Sequence, residues 1–395
     1  MQLPLLKNAN VKGKTVFLRA DLDVPTKSQK SKVPTSLKLR GASKSQKVIE
    51  DDSRLRAALP TIEYLLKNNA KVIIGGHLGR PKPIQNSKFR IQNSNGEFSL
   101  EPIARWFAGR LKIKNLKFTK LGEFDGWHIT ENLYLLENLR FYEGEEKNDP
   151  EFAKKLATLA DIYVNDAFAV CHRSHASIVG ISKFLPHFAG FHLEQEITHL
   201  NSALQNPKRP LAVIVGGKKI ETKLPLVIKM YDIADYVLVG GKIAEESKEF
   251  IKAEHQKSKS KALLLIADLN IDRTGILENS IVNFIEVINR SKTIIWNGSM
   301  GKIDQRSKVP TSLKLRGASK SQKSEEDDFN HASKRIARAI IESKAYSVIG
   351  GGDTTEFLRR IGLINKFNFV STGGGAMLAF LSGEKLPGIE ILEIK

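Results

Sequence analysis

Apolar residues recur along this chain in short runs that end in glycine or in a charged residue. The run TVFLRADLDV after Lys14 and the run Lys71–Gly75 alternate like buried strands, and between them Arg54–Asn68 carries apolar residues at helical spacing. Further strand-then-helix units read out at YLLENLRF and IYVNDAF. Strand, helix and strand in that order predict parallel pairing, because a parallel crossover needs room for the intervening helix. Past the Pro-bounded stretch Asn206–Pro210 the pattern restarts with LAVIVGG, YVLVGG, KTIIWNG, SVIGGGD and FVSTGGG, each an apolar strand running into glycine. The expected fold class is α/β: two Rossmann-like, doubly wound parallel-sheet domains joined by a hinge. The boundary falls near residues 186–205, giving domains over 1–187 and 188–385. A chain of 395 residues with 41% hydrophobic residues can fill two such cores.

One stretch breaks the pattern. Ser31–Lys47 reads SKVPTSLKLRGASKSQK, and the same 17 letters return at Ser307–Lys323. The segment has no sustained apolar period and reads as a solvated loop, so 31–47 and 307–323 are expected to be tolerated basic insertions. They also account for most of the charge. The formal net charge is +19, and each copy carries five Lys or Arg and no acid, which leaves +9 for the rest. Nucleic acid is therefore disfavoured as a partner, and the remaining excess suits a polyanionic small substrate. The single cysteine, Cys171, has no internal disulfide partner, and no apolar run is long enough to span a bilayer. A cytoplasmic setting without a membrane partner is expected.

Glycines at strand ends carry the first chemical signal. Gly216-Gly217, Gly240-Gly241, Gly350–Gly352 and Gly373–Gly375 would line one edge of a parallel sheet, where backbone can approach a ligand and helix N–H groups can meet phosphate. The loop G-x-x-x-x-G-K-[ST] and the fingerprint G-x-G-x-x-G after the first strand are both absent, so a polyphosphate site here is of another design, and an oxidoreductase reading loses support. The first half instead sets cations at strand ends: Arg19, Arg54, His77, Arg80, Arg140, His172, Arg173 and His175. Arginine forks aimed at one edge would trap a small polyanion. These histidines have no Cys or carboxylate partners at zinc spacing.

The series DLDVP, DDSRLRAALPTI, HLGRP, LLENLRF, VNDAF, HRSHAS, VGGKKIETK, WNGSMG, GGGDTT, STGGGAML and LPG resembles the ordered motifs of the phosphoglycerate kinases. The resemblance covers nearly the whole chain apart from the repeats and the loop Ile84–Phe98. It implies reversible, magnesium-dependent phosphoryl transfer between 1,3-bisphosphoglycerate and ADP, giving 3-phosphoglycerate and ATP, by a hinge-bending enzyme expected to be monomeric. The implied substrate residues are Asp21, Asp23, Arg54, His77, Arg80, Leu139, Arg140, His172 and Arg173. On the nucleotide side they are Gly217, Lys219, Lys223, Gly240, Gly241, Asn297, Asp304, Asp353 and Thr354, with Asp353 orienting the Mg2+ carried by ATP or ADP. Arg54, Lys219, Gly373, Gly374 and Gly375 would act on the moving phosphoryl group, and the tail 386–395 would pack back on the first domain. Four letters depart from the family pattern: Asp23 for Asn, Lys218 for a small residue, Lys242 for Gly and Ser299 for Pro. Asp304 stands where the family has a longer ribose-binding acid, one methylene short of Glu. A binding protein on a kinase scaffold remains the alternative.

Overall fold

The computed structural model of the protein describes residues 2–29, 46–83, 96–113, 116–257, 261–271, 275–302 and 331–393. Asp304, residues 31–45 of the first repeat, the whole second repeat and residues 84–95 lie outside the described residues. The chain divides into two compact units, Met1–Gln195 with Leu386–Lys395, and Glu196–Lys385.

The strands of the first unit are β1 (Thr15–Arg19), β2 (Thr26–Gln29), β3 (Gln46–Ile49), β4 (Lys71–Gly75), β5 (Lys117–Leu121), β6 (Phe124–Thr130), β7 (Leu133–Leu136), β8 (Ile162–Asn165) and β9 (His187–Ala189). Seven of them form one sheet in the order β5-β6-β7-β4-β1-β8-β9. Its centre, β7-β4-β1-β8, is parallel, and Val16, Phe17 and Leu18 of β1 are all fully buried because helices cover both faces of such strands. The expectation of parallel pairing fails at one edge, where β5 and β6 run antiparallel. Only Gly122 and Glu123 separate these two strands, and Gly122 takes φ +59°, the left-handed backbone that a two-residue hairpin favours. A crossover helix cannot fit in two residues, so this connection has to reverse direction.

Strands β2 and β3 form a separate antiparallel ribbon, with Thr26 opposite Ile49 and Gln29 opposite Gln46. Gln46 and Lys47, the last letters of the first repeat, are thus strand rather than loop. Their pairing partners lie outside the repeat, so its own composition carried no strand signal. The tail also belongs to this unit: Gly388 N–H donates to Cys171 O at 2.9 Å, and Asn165 Nδ2 donates back to Gly388 O at 3.2 Å.

The second unit holds β10 (Leu211–Val215), β11 (Tyr236–Val239), β12 (Leu263–Ile266), β13 (Thr293–Asn297), β14 (Tyr346–Gly350) and β15 (Phe369–Val370). All pair in parallel, in the order β12-β11-β10-β13-β14-β15. The fully buried indole of Trp296 on β13 packs in a core with Phe284, Ile336 and Phe357 from the helices Glu278–Arg290, His331–Ser343 and Gly352–Arg360. The chain passes from the first unit to the second inside the helix Phe191–Leu204.

The antiparallel edge supplies a test of how tightly the first sheet is specified. A Cβ at Gly126 of β6 would collide with the Leu135 carbonyl and meet Leu136 Cα at 2.9 Å, both backbone atoms that cannot turn aside. Gly126→Ala is expected to cost about 3 kcal/mol or more of stability in urea unfolding. A midpoint equal to that of the parent would show that the edge yields.

Candidate active site

Because β7, β4, β1 and β8 are neighbours and parallel, the loops that follow them leave the first sheet at one edge. That edge carries Asp21 and Asp23 after β1, His77 and Arg80 after β4, Leu139 and Arg140 after β7, and His172 and Arg173 after β8. Arg54 joins them from the first turn of the helix Ser53–Lys67, and its Nη1 lies 3.1 Å from both carboxylate oxygens of buried Asp21. Burial pushes the Asp21 carboxyl above the usual carboxylate range and Arg54 pulls it back, while Asp21 keeps the Arg54 guanidinium firmly charged.

Gly79 is the centre of the arrangement. Its N–H donates to Asp23 Oδ1 at 2.8 Å and its carbonyl accepts from Arg140 Nη1. It has φ +63°, and Phe98 crowds the place of a Cβ, so only glycine fits this turn. Asn138 fastens the two loops together: its Nδ2 donates to Leu78 O and Phe98 O, each at 2.8 Å, while its Oδ1 accepts from Arg140 N at 3.1 Å. Arg140 itself is buried. Its Nε lies 2.9 Å from Glu146 Oε1, and its Nη2 has no hydrogen-bond partner among the described residues. Beneath the loop, the Glu137 carboxylate takes N–H groups from Leu100 and Asn138 and the Ser99 hydroxyl; burial nevertheless pushes it up to about 7.

Burial and neighbouring arginines hold the histidines here toward their neutral forms. Burial pulls His77 well below its ordinary value, and Arg19, Arg140, His175 and Arg173 add to the effect. His175 falls to about 3 for the same reasons, and His172 is lowered by burial and by Arg173, whose Nε donates to His172 Nε2 at 3.3 Å. The structure thus joins Asp21, Asp23, Arg54, His77 and Arg140 into one contiguous set, with His172 and Arg173 beside it. Arg80 is exposed, one residue beyond Gly79, and takes no part in these contacts. Leu139 is fully buried, and its backbone N–H donates to Gly76 O at 3.0 Å.

In the second unit the glycines close on one another. Gly241 has φ +65°, and a Cβ there would lie 2.8 Å from Gly217 N and 2.9 Å from Ser299 O; at Gly298 it would run into the Gly216 carbonyl. Side chains at these positions would pry apart the ends of β10, β11 and β13. Around them opens a cavity of about 780 Å³, lined by Gly217, Gly241, Ser299 and Asp353 among others. Lys218 and Lys242 line it as well, so three of the four departures from the family pattern converge on this one space. Ser299 settles its hydroxyl on Gly301 O at 2.8 Å, and its carbonyl accepts from Gly217 N at 2.7 Å.

Below the glycines, buried Lys223 hydrogen-bonds the side-chain and main-chain oxygens of Asn297. Burial lowers this ammonium to about 8; Asp353 opposes the shift and Lys219 adds to it. Lys219 is exposed at the start of the helix Ile220–Met230. Thr354 Oγ1 is buried without a hydrogen-bond partner, next to exposed Asp353 in the first turn of Gly352–Arg360. Gly240 is buried at the end of β11, and Gly373–Gly375 lead into the helix Gly375–Leu381. No group of three or more His, Cys, Asp or Glu that could cage a metal exists among the described residues. One carboxylate and an orphaned hydroxyl fit a magnesium ion that arrives on phosphate oxygens, since Mg2+ is usually held by one or two protein ligands and its nucleotide.

Sequence reasoning missed the far wall of the cavity, formed by Glu356, Phe357 and Arg360. They follow Asp353 at three, four and seven residues, one face of a single helix, so the periodicity was there to be read. Arg19 was visible as a strand-end cation, but its partners were not.

The family model described as phosphoglycerate kinase matches residues 6–267 and 323–384. The chain is similar to the cytosolic phosphoglycerate kinase 3 of Arabidopsis thaliana, 35% identical over 439 residues that span 98% of this chain and 97% of that protein. It is also similar to the chloroplastic phosphoglycerate kinase 1 of the same plant, 34% identical over 98% of this chain and 81% of that one. Among solved structures, the phosphoglycerate kinase of Coxiella burnetii superposes with a TM-score of 0.75 at 29% identity over 99% of each chain. That of Pyrococcus horikoshii gives 0.68 at 28%, over 99% of this chain and 98% of its own.

The Lys223 shift has a measurable consequence. Below about pH 8 the ammonium is charged and available to phosphate; above it the folded protein loses the proton, whereas the unfolded chain would hold it to near 10.5. Affinity for magnesium ADP should therefore weaken as pH rises past about 8, and Lys223→Met should bind more weakly with that slope removed. Isothermal titration between about pH 7 and 9.5 checks this, and parallel pH profiles for the two proteins would refute it.

Proposed function

This chain belongs to the phosphoglycerate kinase family, and on that premise we propose how its own residues divide the work. The enzyme is a phosphotransferase that moves a phosphoryl group reversibly between 1,3-bisphosphoglycerate and ADP, a step of glycolysis and gluconeogenesis. In the first unit, Arg54, Arg140, Arg173, His77 and His172 would take the phosphate and carboxylate oxygens of 3-phosphoglycerate. Asp21 and Asp23, as acceptors, suit its hydroxyl group, with Arg80 at the outer edge. The observation that carries this reading is the unmatched Nη2 of buried Arg140, since a desolvated guanidinium nitrogen without a partner is costly until a ligand oxygen completes it.

In the second unit the glycine-lined cavity would receive the nucleotide against Gly217, Gly240 and Gly241, with Lys219, Lys223, Asn297 and Thr354 directed to its phosphates. Bound magnesium, oriented by Asp353, would neutralise phosphate charge. The acceptor carboxylate is already ionised at neutral pH, so no general base is needed, and the neutral histidines of the first unit are suited to hydrogen bonding rather than proton transfer. What remains is positioning and charge: Arg54 and Lys219 would stabilise the transferring oxygens, and the N–H groups of Gly373, Gly374 and Gly375 would add to them. No helix among the described residues is long and apolar enough to cross a membrane. We place the enzyme in the cytosol as a monomer, with no nucleic-acid partner.

A coupled assay with 3-phosphoglycerate and magnesium ATP tests the whole reading. Turnover in both directions is expected, and Arg54→Ala should reduce kcat by ~100-fold or more while leaving the Kd for magnesium ADP unchanged. Folded protein that binds nucleotide but turns over in neither direction would overturn it.

A further inference from the structure

We propose that Arg19 is a positioning residue: its guanidinium fixes His77 in the Nε2–H tautomer, so that the imidazole offers a neutral donor to Asp23 and to the anion bound beside it. The inference rests on the reading that this set of residues binds 3-phosphoglycerate. Arg19 closes β1 and is wholly buried. Its Nε donates to Ser177 Oγ at 2.8 Å, its Nη1 to Ala20 O, and its Nη2 lies 3.2 Å from His77 Nδ1. The Ser177 hydroxyl in turn donates to Glu145 Oε1 at 2.6 Å, and Ser177 N–H to Glu145 Oε2 at 3.0 Å. Held on three sides, the guanidinium cannot swing away from the ring.

A guanidinium has donors and no acceptor. The contact with His77 Nδ1 therefore requires a lone pair there, and the one proton of a neutral imidazole must sit on Nε2. A doubly protonated ring would set N–H against N–H, and burial together with Arg19, Arg140, His175 and Arg173 already disfavours that form.

The opposite side of the ring makes the same demand. His77 Nε2 lies 3.8 Å from Asp23 Oδ2, while Asp23 Oδ1 is engaged by Gly79 N–H. A lone pair on Nε2 would face a carboxylate oxygen and be repelled, whereas N–H is attracted. An asparagine, the residue of the family pattern at this position, could turn its amide to suit either tautomer. A carboxylate only accepts, so in this chain Asp23 and Arg19 require the same proton position from two directions. At 3.8 Å the Nε2–H is not consumed by Asp23 and remains available to a ligand oxygen.

Nitrogen-15 spectra of the histidine rings read this directly, without any need for activity. His77 is expected to show a pyridine-type Nδ1 and a pyrrole-type Nε2, unchanged between about pH 6 and 8. An Nδ1–H tautomer, an imidazolium or an averaged mixture would overturn the proposal. Arg19→Met should let the Nδ1–H species appear, and persistence of a single Nε2–H tautomer in that variant would equally defeat it. Should Arg19→Met not fold, a pair of variants at the ring decides alongside the parent spectrum. His77→Gln keeps an amide N–H near the place of Nε2, and His77→Asn keeps one near Nδ1. The KM for 3-phosphoglycerate should rise about tenfold more in His77→Asn than in His77→Gln. Equal increases in both would overturn the assignment, whereas absence of turnover in the parent itself would count against the enzyme reading and leave the tautomer to the spectra.

Discussion

Positive charge held out of water is the constraint on which the first unit depends. Arg19 and Arg140 are buried and Arg54 is half-buried, and a desolvated guanidinium is tolerated only where oxygens answer its N–H groups. Asp21 answers Arg54; Ser177, backed by Glu145, answers Arg19; the Gly79 carbonyl answers Arg140 Nη1, with Glu146 beside it as an ion-pair partner. The surrounding acids and imidazoles follow from this. Burial pushes Asp21 and Glu145 upward while the arginines pull them back, and the histidines, which share the burial but meet like charge, are driven to their neutral forms. A site built this way presents charge from arginine beside imidazoles that burial and like charge hold toward their neutral forms.

The second unit is built by a different means. Its strand ends approach so closely that side chains are excluded at Gly241 and Gly298, and main-chain groups of Gly217 and Gly241 share the cavity lining with the side chains around them. Lys223 is the buried cation there among the described residues, and burial lowers its ammonium although Asp353 opposes the shift and Asn297 supplies an amide oxygen and a carbonyl. The difference suits the two ligands. A small phosphorylated hydroxy acid offers few atoms beyond its charged groups, so side-chain forks would define it. A nucleotide offers length, and a glycine-lined edge can follow it closely.

These two strategies were not equally legible in the sequence. Close approach leaves a written trace, because only glycine survives it, and strands buried on both faces leave unbroken apolar runs; β10, β11, β13 and β14 were readable for both reasons. The hairpin of β5 and β6 was not, since KFTKL and FDGWHIT dilute their apolar letters with Lys, Thr, Asp and His, and the edge strand β5 is only partly buried. The arginine network was legible as a set of cations and illegible as a circuit. Arg19 finds Ser177 at a separation of 158 residues and His77 at 58, and no local pattern encodes either contact. The departures at 218, 242 and 299 were visible letter by letter, but that they border one cavity is a property of strand order, which sets β11, β10 and β13 side by side.

The same distinction bears on the first repeat, which interrupts the chain between Asp23 and Arg54, two residues whose spacing the site cannot relax. An insertion there is tolerated only if its ends are held at a fixed separation whatever lies between them. The β2–β3 ribbon supplies that condition: its ladder pairs Thr26 with Ile49, and just outside it Glu50 N–H donates to Pro25 O at 2.9 Å. From Glu50 the chain needs only a few residues to reach the helix that carries Arg54, and from Pro25 only two to return to Asp23. The ladder therefore holds Pro25 and Glu50 together independently of the length of chain between Gln29 and Gln46. The pairing of Arg54 with Asp21 at 3.1 Å is what such a clamp would preserve, and it is present with the repeat lying between the two residues in sequence.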